Sequence, residues 1–153
     1  MPQPFRIALP AVSASALLVI VNVSPLHAEE VATAKSEVLL QADSSWNGKP
    51  YTAYPAGRPQ LTMLKITIAP NTTLPWHTHP VPNAAYILSG DITLRDRASG
   101  VTRTFHTGDS LAESVDDEHR GESGPNGAVI LVTYAGTPGT PTSVPAKGEK
   151  PEY

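Results

Sequence analysis

The sequence predicts an all-β fold, either a sandwich or a jelly roll, in a single domain. From residue 37 onward, apolar and polar residues alternate with a period of two, as in half-buried strands. Sixteen prolines and eleven glycines in 153 residues suit many short strands joined by tight turns. No amphipathic helix longer than a turn or two is predicted. An immunoglobulin-like sandwich would show the same alternation, so the period alone leaves both architectures open.

The alternation is clearest between Leu61 and Ala69. Leu64, Ile66 and Ile68 share one face of this segment, and the opposite face is more polar. The segment is therefore predicted to be a strand, and the Pro-Asn pair that follows it is predicted to turn the chain.

Later strands are predicted at residues 84–89, 91–96, 101–106, 110–114 and 128–135. Gly90 is expected to end the first of these. Residues 97–100 are expected to form a hairpin, and the sequence Gly-Pro-Asn-Gly at 124–127 predicts another turn. Residues 128–135 are the most apolar and are predicted to form a central strand.

Residues 1–28 have the pattern of a secretory signal peptide. Arg6 supplies the positive charge, residues 7–23 are mostly apolar, and Ala28 is the small residue expected at a cleavage site. An uncleaved membrane anchor is the alternative, but Pro10 and several polar residues dilute the apolar stretch. We therefore expect a periplasmic or secreted protein with no stable membrane anchor after cleavage.

The rest of the chain divides into three predicted parts. Residues 29–36 are polar and are predicted to be a flexible lead-in. Residues 37–145 carry the alternating pattern and are predicted to form the barrel domain. Residues 146–153 have no core pattern and are predicted to be a C-terminal tail.

Composition excludes some classes of partner and of site. The formal charge of −3 and the lack of any Lys/Arg cluster give no reason to expect a nucleic-acid partner. The chain has no cysteine, so it can form neither a disulfide nor a thiolate metal site. Any metal must therefore be bound by histidine, carboxylate or amide groups.

Two of the five histidines are two residues apart, at His77 and His79. On an extended strand such residues point to the same face, with Cα atoms about 6.6 Å apart. Two imidazoles at this separation can bind one metal ion. Two surface histidines beside a proline-rich loop would show the same spacing, so the pair by itself leaves both readings open.

The wider spacing resembles the two-part signature of the cupin superfamily. The first part is His-x-His, three or four residues, Glu, six residues, Gly; the second opens with Gly and ends with His eleven residues later. The matching positions here are His77, His79, Asn83, Gly90, Gly108 and His119. The resemblance implies a double-stranded β-helix, the cupin jelly-roll barrel. It also implies that His77, His79 and His119 bind one divalent metal ion inside the barrel.

This sequence departs from the cupin pattern in both parts. Asn83 stands where the family has glutamate, so the first part is a variant. Ser114 and Asp116 stand where the second part usually has proline and glycine. The fourth metal ligand is therefore open between Asn83, Glu113 and water.

Glu113 is the candidate catalytic carboxylate. It shares a strand face with Leu111 by the period of two, so it points inward if Leu111 is in the core. A carboxylate inside a barrel needs a cation or strong hydrogen-bond donors nearby. Alternatively, Glu113 lies in solvent with the acidic run 116–118.

The cupin resemblance implies several possible functions. The first hypothesis is a metal-dependent enzyme, a dioxygenase or a related isomerase or lyase, that acts on a small organic molecule with Fe, Mn, Ni, Cu or Zn. Because Asn83 is neutral, the metal centre would favour anionic ligands. The second hypothesis is a non-catalytic ligand-binding or sensing module in which the metal is structural or holds an anion. A homodimer is a further expectation.

Overall fold

The computed structural model describes residues 33–153, so the predicted signal peptide, 1–28, and most of the predicted lead-in lie outside the described residues. Seven strands form one antiparallel sheet system. They are β1 (Gln60–Ile68), β2 (His77–Thr78), β3 (Asn83–Asp96), β4 (Thr102–His106), β5 (Ser110–Ala112), β6 (His119–Gly136) and β7 (Val144–Pro145). Between residues 33 and 153 no helix is present, and hence none that could cross a membrane.

Two long strands, β3 and β6, organise the fold. They pair antiparallel over their whole length, from Asn83 opposite Tyr134 to Asp96 opposite His119. Strand β1 pairs with the other edge of β6, whereas β4 and β5 pair with β3. The domain is therefore an all-β double-stranded β-helix, as predicted.

The prediction that Gly90 ends a strand and that residues 124–127 form a turn is wrong. Both lie within continuous strands, and they face each other across the β3–β6 pair. Gly90 is opposite Ala128 and Ile92 is opposite Ser123, so the four residues 124–127 lie opposite Asp91 alone. The glycines allow the two strands to bend at this irregular bulge, and the chain does not reverse.

The backbone explains why glycine is required at this bulge. Gly90 has φ of 75° and Gly127 has φ of 72°, a conformation that side chains disfavour. A Cβ atom at Gly90 would lie 2.0 Å from the carbonyl oxygen of Gly127. The two strands can therefore approach this closely only without a side chain at this position.

The inward faces of the strands form the core. As predicted, the exposed and less exposed residues of β1 alternate, and Ile68 is buried. The other buried apolar residues include Val81, Ala85, Ile87, Ile92, Leu94, Phe105, Leu111, Ile130, Val132 and Tyr134. This apolar interior surrounds the histidines described next.

The short strands β2 and β7 lie beside the N-terminal end of β6. His77 in β2 is opposite His119 on one side and Pro145 of β7 on the other. Beyond β7, Ala146 is buried, and its amide donates a 2.9 Å hydrogen bond to the carbonyl of Trp76. The last residues of the chain therefore continue to contact the domain next to the histidines.

Candidate metal site

The structure brings together the three histidines singled out by the sequence. His77 lies in β2, His79 follows directly after that strand, and His119 begins β6. All three are buried, with exposed fractions of 3, 3 and 1%. One ring nitrogen from each lies within 4.8 Å of the other two. Strand pairing explains the convergence, because His77 and His119 are direct partners.

Backbone carbonyl groups fix the orientation of each imidazole. The Nδ1 atom of each histidine lies within hydrogen-bond distance of one carbonyl oxygen. These oxygens belong to Pro75 at 2.9 Å from His77, Thr142 at 2.7 Å from His79 and Asp117 at 2.9 Å from His119. A carbonyl can only accept, so Nδ1 carries the hydrogen and a neutral ring keeps its lone pair on Nε2. The three rings therefore present metal-binding nitrogens to one point.

The neutral form of two of these rings is favoured by their surroundings. Burial, with the nearby His119 and His79, lowers the pKa of His77 to about 4. Burial also lowers the pKa of His79. Both rings are therefore uncharged near neutral pH, which is the form that binds metals.

Glu113 lies inside the barrel, in the orientation that the period of two predicts. Its residue position follows β5 directly, and its amide donates to the carbonyl of Asn83 at 3.2 Å. Its Oε2 atom lies 3.2 Å from Nε2 of His119. Burial raises the pKa of Glu113, but the neighbouring histidines outweigh this effect, and the pKa is lowered overall. Glu113 is therefore a buried anion beside the three imidazoles.

A second carboxylate, that of Glu152, lies beside the same histidines, and it was not predicted from the sequence. Glu152 is the penultimate residue, and its Oε2 atom lies 3.3 Å from Nε2 of His77. The Glu152 side chain is 7% exposed. Burial and the charge of Glu113 raise the pKa of Glu152 to about 7. Its sequence context, Lys-Pro-Glu-Tyr, carries no periodicity or motif that predicts burial.

The five side chains line a cavity of about 30 Å³. The other lining residues are Tyr134, Gly121 and the apolar residues Ile66, Ile68, Leu74, Ile92, Leu94, Ile130 and Val132. No lysine or arginine is among them. Two ionised carboxylates would leave a charge of −2 in an apolar setting, which is costly without a compensating cation.

Unsatisfied polar atoms show that the donor set fits a metal ion. Nε2 of His119, Oε2 of Glu113 and Oε2 of Glu152 are buried and lack a hydrogen-bond partner among residues 33–153. Buried polar groups normally have partners, so such atoms on three neighbouring residues call for an explanation. Imidazole nitrogens and carboxylate oxygens are ligands for Zn, Fe, Mn, Ni and Cu.

Asn83 is placed differently from the histidines. It is buried, its Nδ2 donates to the carbonyl of Val81 at 3.5 Å, and its Oδ1 has no partner in the described part of the chain. It does not line the histidine cavity. It lines a separate cleft of about 550 Å³ between residues 40–54 and the sheet. The structure therefore brings Glu113, and not Asn83, into the cavity with the histidines.

Two aromatic residues border the imidazoles, and neither was singled out from the sequence. The ring of Trp46 packs edge-on to His119 with centroids 6.5 Å apart, and Tyr134 lies 5.6 Å from His79 in the same way. His106, by contrast, is an exposed residue paired with Asp91 at 2.7 Å. It lies outside the cluster and provides a matched control for the buried histidines.

Comparisons with known proteins agree with this architecture. The sequence model of the cupin domain matches residues 64–134. A DMSP lyase from Ruegeria pomeroyi has a similar structure, with a TM-score of 0.52 and 19% identity over 68% of this chain and 49% of the lyase. The match thus spans about half of the lyase. No curated protein sequence matches the chain.

Two further solved structures are similar at lower scores. A polyketide cyclase from Streptomyces resistomycificus has a TM-score of 0.46 and 24% identity over 60% of this chain and 62% of the cyclase. An RmlC-like cupin from Shewanella frigidimarina has a TM-score of 0.45 and 18% identity over 68% of this chain and 95% of its own. The family match therefore identifies residues 64–134 as a cupin domain, and the lyase shares its fold.

Proposed function

We propose that the protein binds one divalent metal ion through His77, His79 and His119, with Glu113 as the fourth group, and acts on a small organic molecule. The observation that carries this proposal is the hydrogen bond between each of the three Nδ1 atoms and a backbone carbonyl oxygen. It leaves three Nε2 atoms free in one buried cluster.

The surrounding residues suit a metal-dependent enzyme, such as a dioxygenase or a related lyase or isomerase. A bound divalent ion would polarise an oxygen of the organic molecule or, with Fe, Mn, Ni or Cu, support oxygen chemistry. Glu113 holds a negative charge beside His119 and can bind the ion or accept a hydrogen bond within the cavity. The apolar lining excludes bulk water, which strengthens every electrostatic interaction there.

A second candidate function is a non-catalytic ligand-binding or sensing module. The small size of the histidine cavity favours it, because about 30 Å³ accommodates an ion or a water molecule but no organic substrate. Measuring oxygen uptake by the metal-loaded protein with small acids, diketones and phenols distinguishes the enzyme from the non-catalytic module. Turnover supports the enzyme, whereas binding without turnover across these classes supports the module.

Elemental analysis of purified protein tests the metal site itself. We expect about one equivalent of divalent metal in the wild type and a sharp loss in His77→Ala, His79→Ala and His119→Ala. His106→Ala is the matched control, since that exposed histidine pairs with Asp91, and it should keep the metal. Equal metal content in wild type and in His79→Ala would contradict the proposal.

We also propose that the protein is exported to the periplasm or secreted. Arg6, the apolar stretch after it and Ala28 support this localisation. Mass spectrometry of natively expressed protein should find an N-terminus near Glu29. A soluble cytoplasmic species that begins at Met1 would contradict export.

A further inference from the structure

The C-terminal segment holds Glu152 in the histidine cavity through contacts on both sides of it. Upstream, the amide of Ala146 donates to Trp76 and the amide of Glu149 donates to Ala146, at 2.9 and 3.0 Å. Downstream, the hydroxyl of Tyr153 lies 3.2 Å from that of Tyr134 and 3.1 Å from Oγ1 of Thr142. The burial of Glu152 is therefore a consequence of how the segment docks.

The two carboxylates border different imidazoles. Glu113 lies beside His119, whereas Glu152 lies beside His77, at 3.2 and 3.3 Å respectively. Neither of these Oε2 atoms forms a hydrogen bond with the residues that the structure describes. With both carboxylates ionised and all three imidazoles neutral, the cluster would carry a charge of −2, which a single divalent ion would balance. Glu152 thus supplies the charge that the neutral Asn83 cannot.

Glu152 is also the ionisable group that can leave the cavity most easily. The histidines and Glu113 lie in or directly beside paired strands, so moving them would break strand hydrogen bonds. Glu152 lies beyond the last strand, so its own position is held by the contacts named above and not by strand pairing. With Glu152 in place, the remaining space of about 30 Å³ is too small for an organic molecule.

We infer that Glu152 is an internal carboxylate ligand of the metal site and that a small carboxylate substrate binds by replacing it. This inference rests on the proposed metal site. A group that takes the place of a carboxylate next to a cation must offer similar oxygen ligands and a similar charge. The substrates that can replace Glu152 in this way are therefore small carboxylic acids.

Cobalt(II) binding tests the first half of the inference. We would load wild type, Glu152→Gln and Glu149→Gln with Co²⁺, and measure affinity by calorimetry and coordination by visible absorption. Glu152→Gln keeps the side-chain shape, and it should lower affinity by about 10–100-fold and change the absorption spectrum. Glu149 is an exposed acid in the same segment, so Glu149→Gln should match the wild type.

Acetate titration tests the second half. In Co²⁺-loaded Glu152→Ala the carboxylate is absent, and added acetate should restore a spectrum like that of the wild type. In the wild type, acetate must compete with the tethered Glu152, so half-saturation should need a higher concentration. Thermal melting and circular dichroism of each variant verify that the barrel remains folded.

Each contrary outcome identifies which statement fails. A wild type that binds no Co²⁺ overturns both the metal site and this inference. Co²⁺ binding that is lost in His79→Ala but unchanged in Glu152→Gln overturns the inference alone. If wild type and Glu152→Ala reach half-saturation at the same acetate concentration, substrate does not replace Glu152. The same conclusion follows if acetate leaves the spectrum of Glu152→Ala unchanged.

Discussion

Oε2 of Glu113 lies 3.2 Å from Nε2 of His119 inside the barrel. On the other side of the same ring, Nδ1 donates to the carbonyl of Asp117. Burial lowers the pKa of His119, but Glu113 outweighs it, so the pKa is raised overall. In the metal-free protein, Glu113 therefore favours the protonated ring, whose second proton lies on Nε2, and a metal must compete with that proton.

The first prediction concerns Glu113→Gln, which keeps the shape of the side chain and removes its charge. Without the carboxylate, burial dominates and the pKa of His119 falls. The pH at which half of the metal binding is lost should therefore move to lower pH. At pH 8, where protons compete little, affinity should fall by about 10–100-fold.

Calorimetric titration with Zn²⁺ at several pH values between 5 and 8 measures both effects. Glu149→Gln removes an exposed carboxylate and serves as the control. An unchanged Zn²⁺ affinity and pH profile in Glu113→Gln would show that Glu113 does not take part in metal binding.

The second prediction concerns the pH dependence of stability in metal-free protein. Folded Glu152 keeps its proton up to a pKa of about 7, whereas an unfolded glutamate loses it near pH 4.5. Its contribution to stability is therefore present below pH 4.5 and is lost as pH rises through 7. Gln does not titrate, so the stability of Glu152→Gln relative to wild type should rise with pH, by up to about 3 kcal/mol.

Urea denaturation in the presence of EDTA at pH 5 and pH 8 measures this difference. Glu149→Gln, in which the removed acid is exposed, should show no such trend. A difference between Glu152→Gln and wild type that is the same at both pH values would show that Glu152 is not a buried acid.

The third prediction concerns the β3–β6 bulge. Gly90→Ala places a methyl group 2.0 Å from the carbonyl oxygen of Gly127 and also strains the backbone. The strain alone costs about 1–3 kcal/mol, and the clash adds to it. Gly100 has a similar φ of 70°, but nothing lies within 4 Å of its added Cβ.

Denaturant unfolding of Gly90→Ala and Gly100→Ala separates the two effects. Gly100→Ala should lose only the free energy due to backbone strain, and Gly90→Ala should lose more. Equal losses of stability in the two variants would mean that β3 and β6 do not approach each other this closely at the bulge.

The fourth prediction concerns stabilisation by metal. A ligand that binds only the folded state stabilises it by about 2.7 kcal/mol at a hundredfold excess over Kd. For a domain of this size the melting temperature should rise by roughly 8 °C. His79→Ala should show little shift with the same metal, and His106→Ala should show the full shift. If none of Zn²⁺, Mn²⁺, Co²⁺ and Ni²⁺ changes the melting temperature of the wild type, the proposed metal site is contradicted.

The sequence by itself determined the features that depend on local pattern. The alternation of Leu64, Ile66 and Ile68 predicted the buried face of β1, because burial on one sheet face repeats every two residues. The same period predicted that Glu113 points inward when Leu111 does. The spacing of His77, His79 and His119 identified the histidines that meet, since it matches a known signature.

Tertiary structure alone decided what depends on contacts between distant residues. Residues 124–127 have the composition of a turn, yet β3 pairs alongside them and holds them in a bulge. The tautomer of His79 depends on the carbonyl of Thr142, which is 63 residues away in the chain. Glu152 reaches His77 because β7 pairs with β2 and carries the end of the chain back to the barrel. Local periodicity records which face of a strand is buried, whereas such contacts arise only when the strands have paired.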